Sequence, residues 1–476
     1  MKRKESASET SPKRAKVQPP RISLATMPIS LKAMDPAVST ALKLAAAEHL
    51  KQHLGKGKKG SAFMAADAAR DSTFPFLEEP DAVHTAAYAA ASCFVADALL
   101  NEAESLPQSL KREKAVAALR AADLALLRGG VGDWAAVTKR LITKAVEIKE
   151  SCEQDWTPKA TQTSPKKKYI PPPPQFLKTK NARSIPRVDA RSLSVEEFTK
   201  QYMEASPPRP VILTHVVDSW PAFTRWKDVE YLKRVAEGRL VPVETYAKED
   251  AGQSFLSKSW SHQIIPLDEY IARFVSPTGS VQEGDKGIQG YLAQHPLFDQ
   301  IPALRKDIIT PSYCQAHTAE DDATPDDCGY RHEPFVSAWF GPAGTVSPLH
   351  NDPYHNVLAQ IVGSKYLRIY DAHETDRIYQ RSDHLGHNSQ VDIDNPNEIA
   401  VKFPLFKDAP CWQTILKEGE LLYMPRHVWH YVKSLETSFS ASFWFGSKTE
   451  LVKTAEGKYE TQYLKKHVPG KELNIQ

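Results

Sequence analysis

Residues 347–356 read SPLHNDPYHN, which places His350, Asp352 and His355 within six positions. In an extended chain side chains two apart share a face, so His350 and Asp352 point together and His355, of opposite parity, faces away. Pro353 interrupts strict counting beyond Asp352. A buried carboxylate beside an imidazole needs compensation, and a metal cation supplies it. A hydrogen-bonded His–Asp pair at a strand end would satisfy the same motif, so its surroundings decide the reading.

Downstream, KEGELLYMPRHVWHYV has a Gly turn, the apolar run Leu421–Met424, a proline and two histidines. His430 follows Trp429 where the chain would reach the mouth of a barrel; His427, three positions earlier, competes for the same role. Two histidines and one carboxylate make the facial triad of non-haem Fe(II) oxygenases, which leaves coordination positions open. A bidentate 2-oxo acid fills two of these and O2 the third. Such an acid needs a cation for its distal carboxylate. In GSKYLRIY, Lys365, Leu367 and Ile369 share one face, and Tyr366, Arg368 and Tyr370 the other. A lysine on the apolar face is costly unless an anion meets it; the alternative is a lysine that snorkels from the strand end.

Strand-like runs divided by Pro, Gly, Asn and Asp fill the chain beyond Arg183: RPVILTHVV, LVPVETY, FVSAWFG, NVLAQIVGSKYLRIY, ELLYMP and SFSASFWFGS. SVEEFTKQYM and WKDVEYLKRVAEG read as intervening helices. Many short strands with few long helices predict a β-barrel or sandwich decorated at one end. The N-terminal part differs. HTAAYAAASCFVADALLNEAE, REKAVAALRAADLALLR and DWAAVTKRLITKAVEIKE are helical in pattern. In the last, Val137, Leu141, Ile142, Ala145 and Val146 share a face and Asp133 is the expected N-cap; Gly129-Gly130 closes the second. The expected organisation is α+β: a basic tail over 1–30, expected to be disordered; an all-α domain over 31–156; a Pro/Lys-rich linker over 157–182; a β-rich domain over 183–447; and a tail over 448–476.

At 476 residues the chain exceeds one compact core, so at least two domains are expected. Its formal net charge is +3. The first 17 residues carry about +4 of this, so the rest lacks the large positive charge of a dedicated nucleic-acid binder and no direct nucleic-acid binding is expected of it. KRK at 2–4 and KRAK at 13–16 resemble a bipartite nuclear import signal, so a nuclear location is expected. The five cysteines, Cys93, Cys152, Cys314, Cys328 and Cys411, are odd in number and scattered, which favours a reducing compartment. No signal peptide and no run of about 18 apolar residues is read, so no membrane is expected. The helical domain shows no catalytic pattern and is expected to bind an unknown partner or to serve the structure.

AWFGPAGTVSPLHNDPYHNVLAQIVGSKYLRIY, EGELLYMPRHVWHYVKSLETSFSASFWF and GYLAQHPLFDQIP together resemble the JmjC-domain 2-oxoglutarate oxygenases, over about residues 183–447. The resemblance implies a double-stranded β-helix (jelly-roll, cupin) with Fe(II) held by His350, Asp352 and His430. It implies that Lys365 pairs with the distal carboxylate of 2-oxoglutarate, that Tyr291, Ser347 and Asn356 line that pocket, and that Trp339 walls the cavity beside the iron. Glu244 and Trp260 match positions that, in one branch of the family, line the groove for a basic substrate side chain. The implied activity is oxidation of a protein substrate, or a histone, at a basic side chain. Hydroxylation of arginine is the leading expectation and demethylation of histone methyl-lysine the alternative. An inactive chromatin-binding cupin and a hydrolase using the same ligands are the rivals from other classes.

The chain also departs from the family. An acidic insertion between Tyr313 and Phe335 contains Cys314, His317, Cys328 and His332, ligand types of a structural zinc site, although an acidic loop with incidental thiols is the plainer reading. His384 and His387, in a polar segment, are expected on a surface loop.

Overall fold

Serine and aromatic residues alternate along Ser438–Gly446, and the alternation sorts two environments. Phe439, Phe443 and Phe445 enter one apolar core, whereas the Ser440 hydroxyl faces the opposite side and donates to Gln360 Oε1 at 2.8 Å. Each buried phenylalanine contributes about 1.5–3 kcal/mol of hydrophobic stabilisation, and each buried serine is tolerated because it has a partner.

The computed structural model describes residues 36–152, except 54–60, 74–81 and 130–133, and residues 181–463, except 277–286, 319–320, 322–330, 384 and 455. The basic clusters at 2–4 and 13–16, Asp133, Cys328, His384 and nearly all of the Pro/Lys-rich linker lie outside the described residues.

The strands are β1 (Ala182–Ser184), β2 (Arg187–Asp189), β3 (Val211–Thr214), β4 (Leu240–Ala247), β5 (Ser261–Pro266), β6 (Ile288–His295), β7 (Arg331–Gly341) and β8 (Val346–His350), then β9 (His355–Val362), β10 (Lys365–Tyr370), β11 (Cys411–Leu416), β12 (Leu421–Met424), β13 (Trp429–Ser434), β14 (Ser438–Gly446), β15 (Thr449–Lys453) and β16 (Tyr459–Tyr463). Two sheets form the β domain, one ordered β1-β11-β10-β13-β8 and the other β2-β3-β12-β9-β14-β7-β6-β4-β5. Between them lies an apolar layer of Ile212, Leu358, Leu422 and Met424 from the larger sheet against Leu367, Ile369, Leu416 and Val432 from the smaller. Tyr366, Tyr370, Trp429 and Tyr431 point the other way, into a cluster outside the smaller sheet. The two-sheet, cupin-type architecture follows from this period-2 sorting.

Among the described residues five helices precede it: α1 (Pro36–His53), α2 (Ser61–Thr73), α3 (Ala82–Ala103), α4 (Gln108–Gly129) and α5 (Ala135–Ser151). They share an Ala-rich core. α3 is long and apolar enough to cross a membrane by length and composition, contrary to the sequence reading that no such run exists, but most of it is buried among the other helices. Four further details differ from expectation. Trp134, not Asp133, occupies the N-cap of α5, with no side-chain cap. On α5 Thr138 and Lys149 are buried with Leu141, Ile142 and Ala145, while Val137 and Val146 are only partly covered. The stretch expected as a tail pairs as the β15–β16 hairpin, and Ala182, placed in the linker, begins β1 and pairs with Cys411.

The helical layer is fastened to the β domain through fully buried groups. Asp123 of α4 receives Arg239 Nε at 2.9 Å and Nη2 at 2.6 Å. Removing one partner of such a buried pair costs about 3–5 kcal/mol, because the other charge is stranded.

Candidate metal centre and cosubstrate pocket

Alternation alone would not bring Ser347 and His350, three apart, to one face. In the β8–β13 ladder His350 lies opposite His430 and Ser347 opposite Val432, so β8 carries an extra residue between them. This bulge re-aims the strand, and both side chains enter the space between the sheets. His430 enters from β13 by ordinary alternation, with Val432 beside it and Trp429 and Tyr431 pointing outward. Asp352 comes from the turn beyond β8, which is tied to the turn before β13 by the His427 N–H donating to the Asp352 carbonyl at 2.8 Å.

One ligand atom each from His350, Asp352 and His430 falls within 4.8 Å of the others, the one such group among the described residues. His350 Nε2 is 3.9 Å from Asp352 Oδ1, and His430 Nε2 is 3.5 Å from Oδ2. The Nδ1 atoms face backbone carbonyls, Pro348 at 2.6 Å and Val428 at 3.0 Å. A carbonyl only accepts, so each Nδ1 carries the proton and each Nε2 turns a lone pair towards the carboxylate. Burial, and for His350 also the neighbouring His430, pulls both imidazoles down to about 4, so they are neutral at pH 7. Burial pushes the Asp352 carboxyl up. Two neutral imidazoles and a desolvated carboxylate suit a divalent cation, and this donor set fits Fe(II) with coordination positions left open.

The other histidines separate cleanly. His427 turns away with φ 62° and pairs through Nε2 with Thr449 Oγ1 at 2.7 Å. His355 faces the opposite side, as parity predicts, with Nδ1 2.9 Å from the Tyr423 hydroxyl. His387 is a correction. Its segment is not a free surface loop: the Asn351 N–H donates to the His387 carbonyl at 2.9 Å, Asn388 bridges to His350, and the His387 ring is close enough to influence both His350 and Asp352. The segment is irregular and polar, so no periodicity in the sequence announces its return to the site. In the acidic insertion Cys314 is packed in the apolar core while His317 is exposed; the two do not share an environment.

Lys365 enters between the sheets from β10 and is 2% exposed. Its ammonium donates to the Tyr291 hydroxyl at 3.3 Å and lies 5.7 Å from that ring's centroid. Burial alone pulls it down to about 7. It does not snorkel. Tyr291, on β6, is held by the close approach of Gly341, where a Cβ would sit 2.7 Å from the tyrosine ring. The Ser347 hydroxyl bonds to the same phenol. Asn356, inward-facing on β9, has a buried Oδ1 without a partner. An ammonium and two hydroxyls joined around one space fit a carboxylate of a small acid. Trp339 walls this space: its indole donates to Ser442 Oγ at 2.9 Å, and its ring stands 6.2 Å from Tyr291.

Glu244 stands opposite Tyr291 on one side and His262 on the other. Burial pushes its carboxyl up to about 7, and only the Trp260 indole works against this. That indole N–H closes no full hydrogen bond of its own. The Trp260 ring stacks on His262 at 6.1 Å with a 10° interplanar angle. A half-buried carboxylate beside two stacked rings suits a cation, and no Lys or Arg contributes to the shift of its pKa.

These features define a cupin-type oxygenase scaffold with a two-histidine, one-carboxylate centre and an adjoining anion pocket. Residues 194–450 match the family described as Cupin-like domain, and the chain belongs to this family, in its JmjC branch of 2-oxoglutarate oxygenases. Among individual proteins it is 40% identical to "Lysine-specific demethylase 8" of Xenopus tropicalis over 64% of this chain and 61% of that protein. It is 38% identical to "Lysine-specific demethylase 8" of Danio rerio over 71% of this chain and 76% of that protein. It is 41% identical to "Lysine-specific demethylase JMJ30" of Arabidopsis thaliana over 56% of each. The match thus spans under two thirds of the frog and Arabidopsis proteins.

Proposed function

We propose that this protein is an Fe(II)- and 2-oxoglutarate-dependent dioxygenase that oxidises a basic side chain of a protein, with N-methyl-lysine in a histone as the favoured substrate. The carrying observation is the convergence of His350, Asp352 and His430 beside the buried Lys365–Tyr291 pair. His350, Asp352 and His430 would hold the metal. Lys365 would bind the distal carboxylate of 2-oxoglutarate, with Tyr291, Ser347 and Asn356 around it. Bound iron with 2-oxoglutarate and dioxygen supplies oxidation of an unactivated C–H bond. The chain's own part is placement: Glu244 draws in the cationic side chain, Trp260 and Trp339 exclude water, and the Nδ1–H bonds hold the two imidazoles in one tautomer.

The order of outcomes differs from the sequence expectation, in which arginine hydroxylation led. Three similar proteins bear the name lysine-specific demethylase, which supports loss of a methyl group. Arginine hydroxylation remains a second reading because a lone carboxylate such as Glu244 can also accept the planar fork of a guanidinium. Incubating N-methyl-lysine and arginine peptides with the iron-loaded protein separates them by mass: loss of methyl with formaldehyde, or gain of one oxygen. Oxygen gain on arginine with no formaldehyde would reverse the order. Peptide cleavage without 2-oxoglutarate would overturn both.

The proposal extends to a nuclear location, on the two basic clusters in residues 1–17. Redistribution of a fluorescent fusion when those residues are deleted tests it.

A further inference from the structure

We infer that the helical domain is a working part of the substrate groove, with Asp123 and Arg239 as positioning residues that set the β4–β5 hairpin carrying Glu244, Trp260 and His262. The inference rests on the proposed role of Glu244 for its functional meaning, though its geometry stands alone.

Three points along α4 meet the hairpin and its approach. At the first, Val116 lies so near Gly238 that a Cβ there would be 2.7 Å from Val116 Cγ1, and Gly238 has φ +77°. A side chain would be both strained and obstructed, so the backbone runs flush against the helix. At the second, the Asp123 carboxylate accepts both arms of Arg239 and also the Leu240 N–H at 2.8 Å. All three donors come from the first residues of β4 and the residue before it. At the third, Arg128 lies close enough to influence His262, the residue paired with Glu244 across the hairpin.

The opposite flank of β4 is also clamped, since Gln300 Nε2 donates to the Leu240 carbonyl at 2.6 Å. Outer contacts repeat the pattern: Arg112 Nη1 reaches Glu237 at 2.8 Å, and Lys149 Nζ donates to the Arg234 carbonyl at 3.2 Å. A buried ion pair holds two bodies together no better than apolar packing would, but it fixes their angle and register. Four residues beyond Leu240 along a strand, that register decides where the Glu244 carboxylate sits. A shift of about an ångström at such a group is enough to spoil substrate alignment, while the triad, on β8, β13 and the turn between β8 and β9, is held by partners outside α4.

Hydrogen exchange of the full-length protein, wild type against Asp123→Asn, tests this. The amides of β4 and β5 should exchange about tenfold faster in the variant, with β8 and β13 unchanged. In turnover with a short Gly/Ala peptide bearing one central N-methyl-lysine or arginine, the peptide KM should rise about tenfold and the 2-oxoglutarate KM stay level, a split that general loosening would not give. Glu237→Gln, at the partly exposed rim, serves if Asp123→Asn does not fold, with the same pattern expected at smaller size. Unchanged exchange in the hairpin, or equal loosening of the triad strands, would overturn the inference. If Glu244→Gln turns over both peptides like wild type, the proposed role of Glu244 fails instead, while the exchange pattern still decides whether α4 sets the hairpin.

Discussion

Lys365 Nζ stands 3.3 Å from the Tyr291 hydroxyl, and Tyr291 is the cross-strand partner of Glu244. One tyrosine therefore separates the cation that would hold the cosubstrate from the carboxylate that would hold the substrate. Both charged groups pay for burial, in opposite senses: the lysine is drawn down to about 7 and the glutamate pushed up to about 7. Each is stabilised by the ion it awaits.

Lys365→Met should therefore abolish tight 2-oxoglutarate binding. Losing the cationic half of a buried pair costs about 2–5 kcal/mol, or roughly thirty- to several-thousandfold in affinity. Calorimetry with Mn(II)-loaded protein under anaerobic conditions reads it directly. The same variant should melt at or above the wild-type temperature, because an unpaired buried ammonium is removed. Wild-type affinity would show that the anion binds elsewhere.

Asp352→Ala and His430→Ala should each lose Mn(II) or Fe(II) binding, measured by the paramagnetic signal of bound Mn(II), while His427→Ala keeps it. The contrast matters because His427 is only three residues from His430 yet is committed to Thr449. Metal binding that survives His430→Ala and falls in His427→Ala would exchange their roles.

Most of this centre was legible as alternation. Leu367 and Ile369 mark the inner face of β10 and carry Lys365 with them; Phe439 and Phe443 mark the outer face of β14 and leave the serines inside. What alternation could not supply lies where the ladder is irregular. The bulge that turns Ser347 and His350 to one side has no signature in SPLH beyond its proline. Asp352 joins the cluster through a turn rather than by parity. The return of the 380–390 segment to the site is set by long-range hydrogen bonds with no local period. The docking of α4 on β4 depends on Asp123, which shares an Ala/Leu-rich helix with one other acidic residue, Glu113, and gives no sign of its partner in the sequence.

Cys314→Ser should lower stability by about 1–3 kcal/mol, since it places a hydroxyl in an apolar core. Its thiol is pushed well up by burial, the reverse of what a thiolate ligand requires. Zinc content by atomic emission should be the same in variant and wild type. A fall in bound zinc would restore the metal reading of the acidic insertion.

Glu244 gives a pH signature. Its folded pKa, about 7, lies above the ordinary carboxylate value of 4.5, so the folded protein binds more protons than the unfolded chain between those two values. Stability from this group therefore falls as pH rises from about 4.5 to about 7, and the full penalty persists above. Water reaching the half-buried carboxylate reduces that penalty to about 1–2 kcal/mol. The buried histidines shift the other way and mask the effect in wild type alone, so the comparison must be with Glu244→Gln. That variant should match wild type at pH 4.5 to 5 and be more stable at pH 8, while losing at least tenfold in peptide affinity at the same pH. Adding a basic peptide should stabilise the wild type but not the variant, because the cation removes the penalty that the substitution has already removed. Equal melting temperatures for the two proteins from pH 5 to 8 would show that Glu244 is well solvated and is not the group that receives the substrate.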